Sequence, residues 1–265
     1  MPPLVRELDD ACAPLMDVSQ KAGARVWVVS EYGHVDVNRP VYANRILRDA
    51  GLLTVRPGPF GEMLDTFGSR ALAVCDHQLA HICCKSPDDA RRARDILTAA
   101  PGVAQVLWGD DRAEIGLDHP RAGELVALST PDAWFAYPYW LDDRCAPDFA
   151  RTVDIHRKPG YDPCELFFDP QLFWPRGRAM TRLLQKKLGL RTLFDVVPLD
   201  ASLVKGSHGL PAAHDKDRPI LIGDGPPPGE AATMPMTRVH NLLLEALVGE
   251  HGALPPTARP PLVAC

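Results

Sequence analysis

Apolar residues near the start of this chain recur with helical spacing and are followed by a continuous apolar run. The helical positions are Leu4, Leu8, Cys12, Leu15 and Val18, which are three or four residues apart. This spacing predicts a helix over residues 4–22 that ends at Gly23. The run Val26–Val29 is typical of a strand buried on both faces.

The same alternation of patterns continues along the chain. It predicts four further helices and six further strand segments. The helices are one that opens at Arg39-Pro40 and ends at Gly51, one from Ser86 to about Ala100, Arg176–Leu188 and Met236–Val248. The strand segments are Leu52–Val55, Ala71–Cys75, Ile82–Cys84, Val103–Trp108, Leu125–Leu128 and Pro219–Gly223. This alternation favours an α/β fold, a three-layer α/β/α sandwich.

Composition limits the classes of function. The net charge of −5 is spread without long runs, so it implies neither a nucleic-acid polymer nor an anionic membrane as partner. No apolar stretch approaches the roughly 20 residues that span a bilayer. Seven cysteines without a CxxC pair indicate reduced thiols and a cytoplasmic protein. The pattern predicts a single domain over residues 1–250 and a proline-rich tail over 251–265.

Two polar turns, far apart in the chain, each place a histidine beside glycine. Glu31, Tyr32 and His34 follow the apolar run, at the strand end where open α/β sheets place ligand sites. Carboxylate and imidazole are zinc ligands, although Glu31 could equally cap a helix while His34 faces solvent. His208, with glycines at 206 and 209, is the stronger metal-ligand candidate.

Three other polar or aromatic segments have both a structural and a functional interpretation. The loop Asp154–Asp162 offers His156, Arg157 and Lys158 for phosphate binding, or is a salt-bridged surface loop. A further hypothesis is that this loop forms the active site of an enzyme that needs no cofactor. The polar groups of Asp76-His77 and His81 are favoured as buried and hydrogen-bonded. The aromatic cluster over residues 134–140 favours core packing over stacking on a base.

The order of these motifs resembles the alkaline phosphatase superfamily, in particular the type I phosphodiesterase/nucleotide pyrophosphatases. Ser30–Val37 resembles the Ser-Asp-His-Gly turn that supplies two metal ligands, and Gly206–Gly209 resembles the late histidine turn. The resemblance covers residues 4–248 and also includes Val103–Leu107, Arg121–Val126, Ile220–Gly223 and Thr237–Leu244. It implies an alkaline phosphatase type fold. His208 would bind the first metal ion, and Glu31, with Tyr32 or His34, the second.

The chain departs from the family at two places. Glu31 stands where the family has aspartate, and Tyr32 stands where it has histidine. The family's early aspartate strand, its threonine or serine nucleophile and a further aspartate–histidine pair have no counterpart before residue 30. We therefore expect a chain that is incomplete on its amino-terminal side, contains no catalytic nucleophile, and exposes an apolar edge near Val26–Val29 through which it self-associates.

The function that the resemblance implies is phosphoryl transfer to water at a centre with two divalent metal ions, zinc being the expected metal. The substrate would be a small phosphodiester or pyrophosphate, and the isolated chain would be inactive. The alternative is a catalytically inactive relic, or a regulatory module that binds a metal or a nucleotide.

Overall fold

A computed structural model describes residues 3–223 and 233–248. The helices are α1 (Pro3–Lys21), α2 (Ala43–Asp49), α3 (Pro87–Thr98), α4 (Pro175–Lys187) and α5 (Val239–Val248). The strands are β1 (Trp27–Val29), β2 (Val35–Asp36), β3 (Arg39–Val41), β4 (Val55–Gly58), β5 (Gly61–Leu64), β6 (Ala71–Asp76), β7 (Leu79–Cys84), β8 (Val103–Trp108), β9 (Leu125–Ser129), β10 (Ala133–Phe135), β11 (Gly206–Ser207) and β12 (Leu221–Gly223). None of these helices has the length and apolar content needed to cross a membrane. The tail predicted over 251–265 lies outside the described residues.

The chain divides into two compact units, and the prediction of one domain over 1–250 stays a prediction. Among the described residues, the first unit takes 3–29, 221–223 and 233–248. In it β1 pairs antiparallel with β12, Trp27 opposite Gly223 and Val29 opposite Leu221. Helix α1 confirms the predicted helix at this end of the chain, but none of its residues is buried.

The prediction that Val26–Val29 is fully buried is wrong. Val28 and Val29 are 43% and 45% exposed, and Ile222 on the paired strand is 58% exposed. A two-stranded sheet consists of two edge strands, so its faces are buried only where another layer covers them. The exposed apolar surface expected near these residues is therefore present, whereas self-association stays a prediction.

The second unit, Ser30–Ile220, is built on a four-stranded antiparallel sheet. The strand order is β6-β7-β9-β8. Helix α3 is capped by Ser86, whose side chain accepts a hydrogen bond from the Asp89 backbone N–H, as its sequence predicts. The helix packs Ala90, Ala93 and Leu97 into the core beside the sheet. The mixed α/β class is confirmed, and the three-layer sandwich stays a prediction.

The prediction that a helix begins at Arg39-Pro40 is wrong. Residues Arg39–Val41 form strand β3, which pairs in parallel with β10, and the helix begins only at Ala43. The aromatic residues 134–140 confirm the core interpretation, because Trp134, Phe135 and Trp140 are almost completely buried. Strand β10 therefore contributes side chains to the core and also pairs with β3.

Candidate functional site: an imidazole cluster

Strand pairing places His34 opposite His208. Strands β2 and β11 are antiparallel, with Gly206 opposite Asp36 and Ser207 opposite Val35. The next step of this register sets residue 208 against residue 34. The two imidazole centroids are 5.3 Å apart and their planes make an angle of 78°. The two histidine turns that the sequence singled out therefore meet.

A third imidazole, that of His77, joins them from the turn between β6 and β7. The neighbouring Gln78 backbone N–H donates to the carbonyl oxygen of His208 at 2.9 Å. The His77 and His208 ring centroids are 3.8 Å apart with the planes tilted by 36°. His77 has φ of +55°, in the left-handed region that residues other than glycine rarely adopt. We call His34, His77 and His208 the imidazole cluster.

Two tyrosines flank the imidazole cluster. Tyr32 stacks on His208 with a centroid distance of 3.6 Å and an angle of only 9°. Tyr161 lies against His77 at 4.9 Å. The Tyr161 backbone is held by β6, because its N–H donates to the Cys75 carbonyl oxygen at 2.9 Å. The rings thus form a row in the order Tyr32, His208, His77, Tyr161.

The glycines beside the histidines have different physical roles. Gly209 has φ of +119°, so it provides the sharp turn that the sequence suggested after His208. Gly33 has no positive φ. A Cβ atom at Gly33 would instead overlap the backbone carbonyl of Asp217. Glycine at 33 is therefore required for close approach of two backbone segments rather than for a turn.

The surroundings keep two of the imidazoles neutral. Burial, followed by the neighbouring imidazoles of His77 and His34, lowers the pKa of His208 to about 4, although Asp76 opposes this. Burial also lowers the pKa of His77. The Nδ1 atom of His77 is buried and has no hydrogen-bond partner among the described residues. A neutral imidazole offers one N–H donor and one nitrogen lone pair to a ligand.

The sequence interpretation of Asp76-His77 as buried, hydrogen-bonded groups is wrong for both residues. Asp76 is exposed, and the His77 ring carries the unpaired nitrogen described above. For His81 the hydrogen bond is confirmed, because its Nδ1 accepts from the Gly123 backbone N–H at 3.3 Å, but the side chain is only half-buried. His77 and Tyr161 are thus the residues that sequence reasoning missed. Only the Asp76-His77 pair, at the junction of two predicted strands, gave any signal.

Glu31 lies apart from the imidazole cluster. It is exposed, and no polar or ring contact joins it to His34 or His208 in the part of the chain that is described. Tyr32 and His34 are brought to the site as predicted. Whether any of the four predicted metal residues binds a metal stays a prediction.

The three predicted phosphate-binding residues lie on the loop before Tyr161, outside the imidazole cluster. Arg157 donates to Asp154 at 2.5 Å and its guanidinium lies 5.1 Å from the Phe149 ring centroid. His156 is exposed.

The prediction that Lys158 binds phosphate is wrong. Its ammonium is completely buried and donates to Asp162 at 2.8 Å, to Glu165 at 2.6 Å and to the Thr152 carbonyl oxygen at 2.9 Å. All three ammonium hydrogens are used, so Lys158 has none left for a phosphate. We call Lys158, Asp162 and Glu165 the buried charge cluster.

Three imidazoles, two of them neutral, therefore lie together in a mixed α/β chain, and one of their nitrogens has no partner among the described residues. The sequence model of the family described as type I phosphodiesterase / nucleotide pyrophosphatase matches residues 2–162, more than half of the chain. The chain therefore belongs to this family, within the alkaline phosphatase superfamily. The matched residues include Tyr32, His34, His77 and Tyr161, whereas His208 lies beyond them.

Solved structures resemble part of the chain. Two crystal structures of phosphonoacetate hydrolase from Sinorhizobium meliloti 1021, in complex with phosphonoacetate and with phosphonoformate, are 18% and 17% identical to it. Each similarity covers 44% of this chain and 29% of that chain, with a TM-score of 0.31. The matched part is therefore less than a third of the length of that hydrolase. No curated protein matches this chain.

Proposed function

We propose that this protein is a phosphoric-ester hydrolase of the phosphodiesterase/nucleotide pyrophosphatase kind. Its imidazole cluster would bind the phosphate end of a small phosphodiester or pyrophosphate. Membership of the family supports the class of reaction. One observation supports placing the phosphate site here: strand pairing brings the imidazoles of His34 and His208 together from distant turns. We further propose that the isolated chain does not turn over such substrates.

The family resemblance implies two divalent metal ions, with zinc expected. His34 and His208 suit one such ion, because nearly perpendicular imidazoles can direct their nitrogens to a common point. Within residues 3–223 and 233–248, however, no group of three histidine, cysteine, aspartate or glutamate residues is placed to hold a metal. The described residues therefore do not fit a complete two-metal centre.

The stacking geometry argues that Tyr32 is not a ligand of an ion bound to His208. The Tyr32 ring is stacked parallel on the His208 ring with a centroid distance of 3.6 Å, so it covers the face of the imidazole. The His208 nitrogens that would hold an ion lie at the edge of that ring, and the Tyr32 phenolic oxygen lies in the separate plane of its own ring. We propose that Tyr32 supports the His208 ring by stacking.

The residues of the imidazole cluster can bind phosphate directly. At neutral pH the lowered pKa leaves His208 uncharged, with one N–H that can donate to a phosphate oxygen. The other nitrogen keeps a lone pair for a cation or a proton. The Nδ1 atom of His77 is buried, and a hydrogen bond formed there with a bound group is strengthened by the exclusion of water.

The second candidate is a non-catalytic module that binds a phosphorylated ligand or a metal ion. The shortage of metal ligands among the described residues favours it. Under either function we propose a cytoplasmic protein, without a nucleic-acid polymer as partner, and the three-layer sandwich of the superfamily as its fold.

Hydrolysis tests the proposed inactivity of the isolated chain, and zinc binding tests the proposed site. We would measure release of p-nitrophenolate from bis(p-nitrophenyl) phosphate with added zinc or manganese, and zinc affinity by competition with a chromophoric chelator. We expect no hydrolysis and weak zinc binding that His208→Ala removes, while His214→Ala, at an exposed histidine outside the imidazole cluster, leaves it unchanged. Hydrolysis that survives purification and disappears in His208→Ala would overturn the inactive assignment. Zinc affinity insensitive to His208→Ala would overturn the site itself.

A further inference from the structure

The segment from Leu166 to Arg191, which contains α4, presents large apolar side chains to solvent. Phe173 is fully exposed and Trp174 is 67% exposed just before the helix begins. Within the helix, Leu183 and Leu184 are more than half exposed. Contiguous apolar surface of this kind marks an interaction site. We call residues 166–191 the α4 segment.

The exposed apolar residues of α4 lie on one side of the helix. Met180, Leu183, Leu184 and Leu188 are spaced by three, one and four residues, which places them along one stripe. The remaining surface of α4 is anchored to the protein. On that side Ala179 is buried, and Arg182 donates to Asp195 at 2.8 Å, beside an ion pair of Arg178 with the same carboxylate. The stripe is therefore the free side of a docked helix.

Cations without a counterion surround this stripe. The α4 segment contains six cations, which are Arg176, Arg178, Arg182, Lys186, Lys187 and Arg191, and one acid, Asp169. Asp169 is paired with Arg151, outside the segment. Among the described residues no ion pair involves Arg176, Lys186, Lys187 or Arg191. Exposed apolar residues and unpaired positive charge are thus found together.

We propose that the α4 segment docks on an anionic lipid bilayer, with its apolar stripe in the headgroup region and its cations against the lipid phosphates. A helix that lies on a membrane combines Trp, Phe and Leu on one face with Lys and Arg around it. The charge complementarity selects an anionic surface. Phe173, just before the helix, is fully exposed, and such a ring can insert between headgroups. The whole-chain charge of −5 conceals this local excess of cations.

Co-sedimentation of the full chain with vesicles tests the proposal. We expect binding to vesicles of 70% phosphatidylcholine and 30% phosphatidylglycerol, weaker binding to pure phosphatidylcholine, and loss of binding at high salt. Each cation close to an anionic surface changes partitioning by about fivefold. Lys186→Gln/Lys187→Gln should therefore weaken binding on the order of 30-fold. Phe173→Ser should weaken it further by removing an inserted ring.

The control is Arg121→Gln/Lys216→Gln, which removes two exposed cations elsewhere on the chain and should leave vesicle binding within about twofold. Circular dichroism of each variant confirms that it is folded. Equal binding to both kinds of vesicle, an equal loss in the control, or no binding at all would overturn the proposal. Self-association abolished by Phe173→Ser, without vesicle binding, would assign the surface to a second copy of the chain instead.

Discussion

The imidazole cluster and the buried charge cluster satisfy their polar groups in opposite ways, although Tyr161, which lies against His77, belongs to the same loop as Lys158 and Asp162. Lys158 donates three hydrogen bonds, and two carboxylates and a carbonyl accept them. In the imidazole cluster, His77 keeps a buried nitrogen without a partner on a backbone of positive φ. The sequence offered residues of both regions as candidates for binding. Polar groups left unpaired distinguish a site that can receive a ligand from one that is already complete.

The difference has an energetic reason. A buried charge destabilises the fold unless it is paired. The ion pairs of the buried charge cluster are therefore needed for stability. An unpaired nitrogen and a strained φ lower stability and persist where the surrounding structure enforces them, which is typical of functional sites. Substitutions in the buried charge cluster should therefore lower stability, whereas substitutions in the imidazole cluster should lower ligand binding.

Lys158→Met should give the largest loss of stability. It removes the cation and leaves Asp162 and Glu165 buried without compensation, for a cost of about 3–5 kcal/mol. Urea unfolding followed by fluorescence measures the change. The matched control is Lys186→Met, at an exposed lysine, which should change stability by less than about 0.5 kcal/mol. A loss below about 1 kcal/mol in Lys158→Met would show that the ammonium is not held as described.

Gly160→Ala should destabilise the protein by about 2–3 kcal/mol. Gly160 has φ of +116°, and a Cβ atom there would overlap the backbone carbonyl of Cys75. This glycine connects the loop of the buried charge cluster to β6 and to Tyr161. Thermal unfolding measures the effect. Gly206→Ala is the matched control, because a Cβ atom at 206 meets nothing closer than 4.0 Å, and it should be neutral or slightly stabilising.

Local signals in the sequence predicted the elements that depend on local chemistry. Ser86 and the acids after it located the start of α3, and the apolar runs located β6 and β7. Elements fixed by distant partners were missed. Arg39–Val41 became a strand because it pairs with Ala133–Phe135, more than ninety residues later.

The candidate site followed the same division. The sequence predicted that the imidazoles of His34 and His208 meet, and their rings do lie 5.3 Å apart. The turn at Gly209 is a local feature, whereas the close approach at Gly33 depends on the distant Asp217. The contacts of His77 and Tyr161 depend on the β6–β7 turn meeting His208 and on Gly160 meeting Cys75. The burial of Lys158 depends on acids four and seven residues later, in an irregular loop where this spacing does not by itself predict an ion pair.

His77→Asn should change stability by less than about 1 kcal/mol and still weaken ligand binding. Asparagine tolerates positive φ better than most residues, and the substitution removes a nitrogen that had no partner. By contrast, His81→Ala removes the acceptor of the Gly123 backbone N–H and should cost about 1–2 kcal/mol. Urea unfolding and zinc competition measure both variants. If His77→Asn were the more destabilising of the two, the imidazole cluster would be structural.

Asp195→Asn should give the smallest effect, and one that depends on pH. Burial alone would raise the pKa of Asp195, but hydrogen bonds from Arg182 and Arg178 outweigh it and hold the pKa at about 2. Because this lies below the ordinary value of 3.8, the ion pairs stabilise the fold above about pH 4, and the contribution is lost as pH falls toward 2. The pairs are partly exposed, so solvent screening limits the contribution to less than about 1 kcal/mol. Urea midpoints at pH 6 and pH 2.5 should therefore differ less in Asp195→Asn than in the unmodified chain. An equal difference in both would mean that this carboxylate, unlike the buried charge cluster, contributes nothing through its partners.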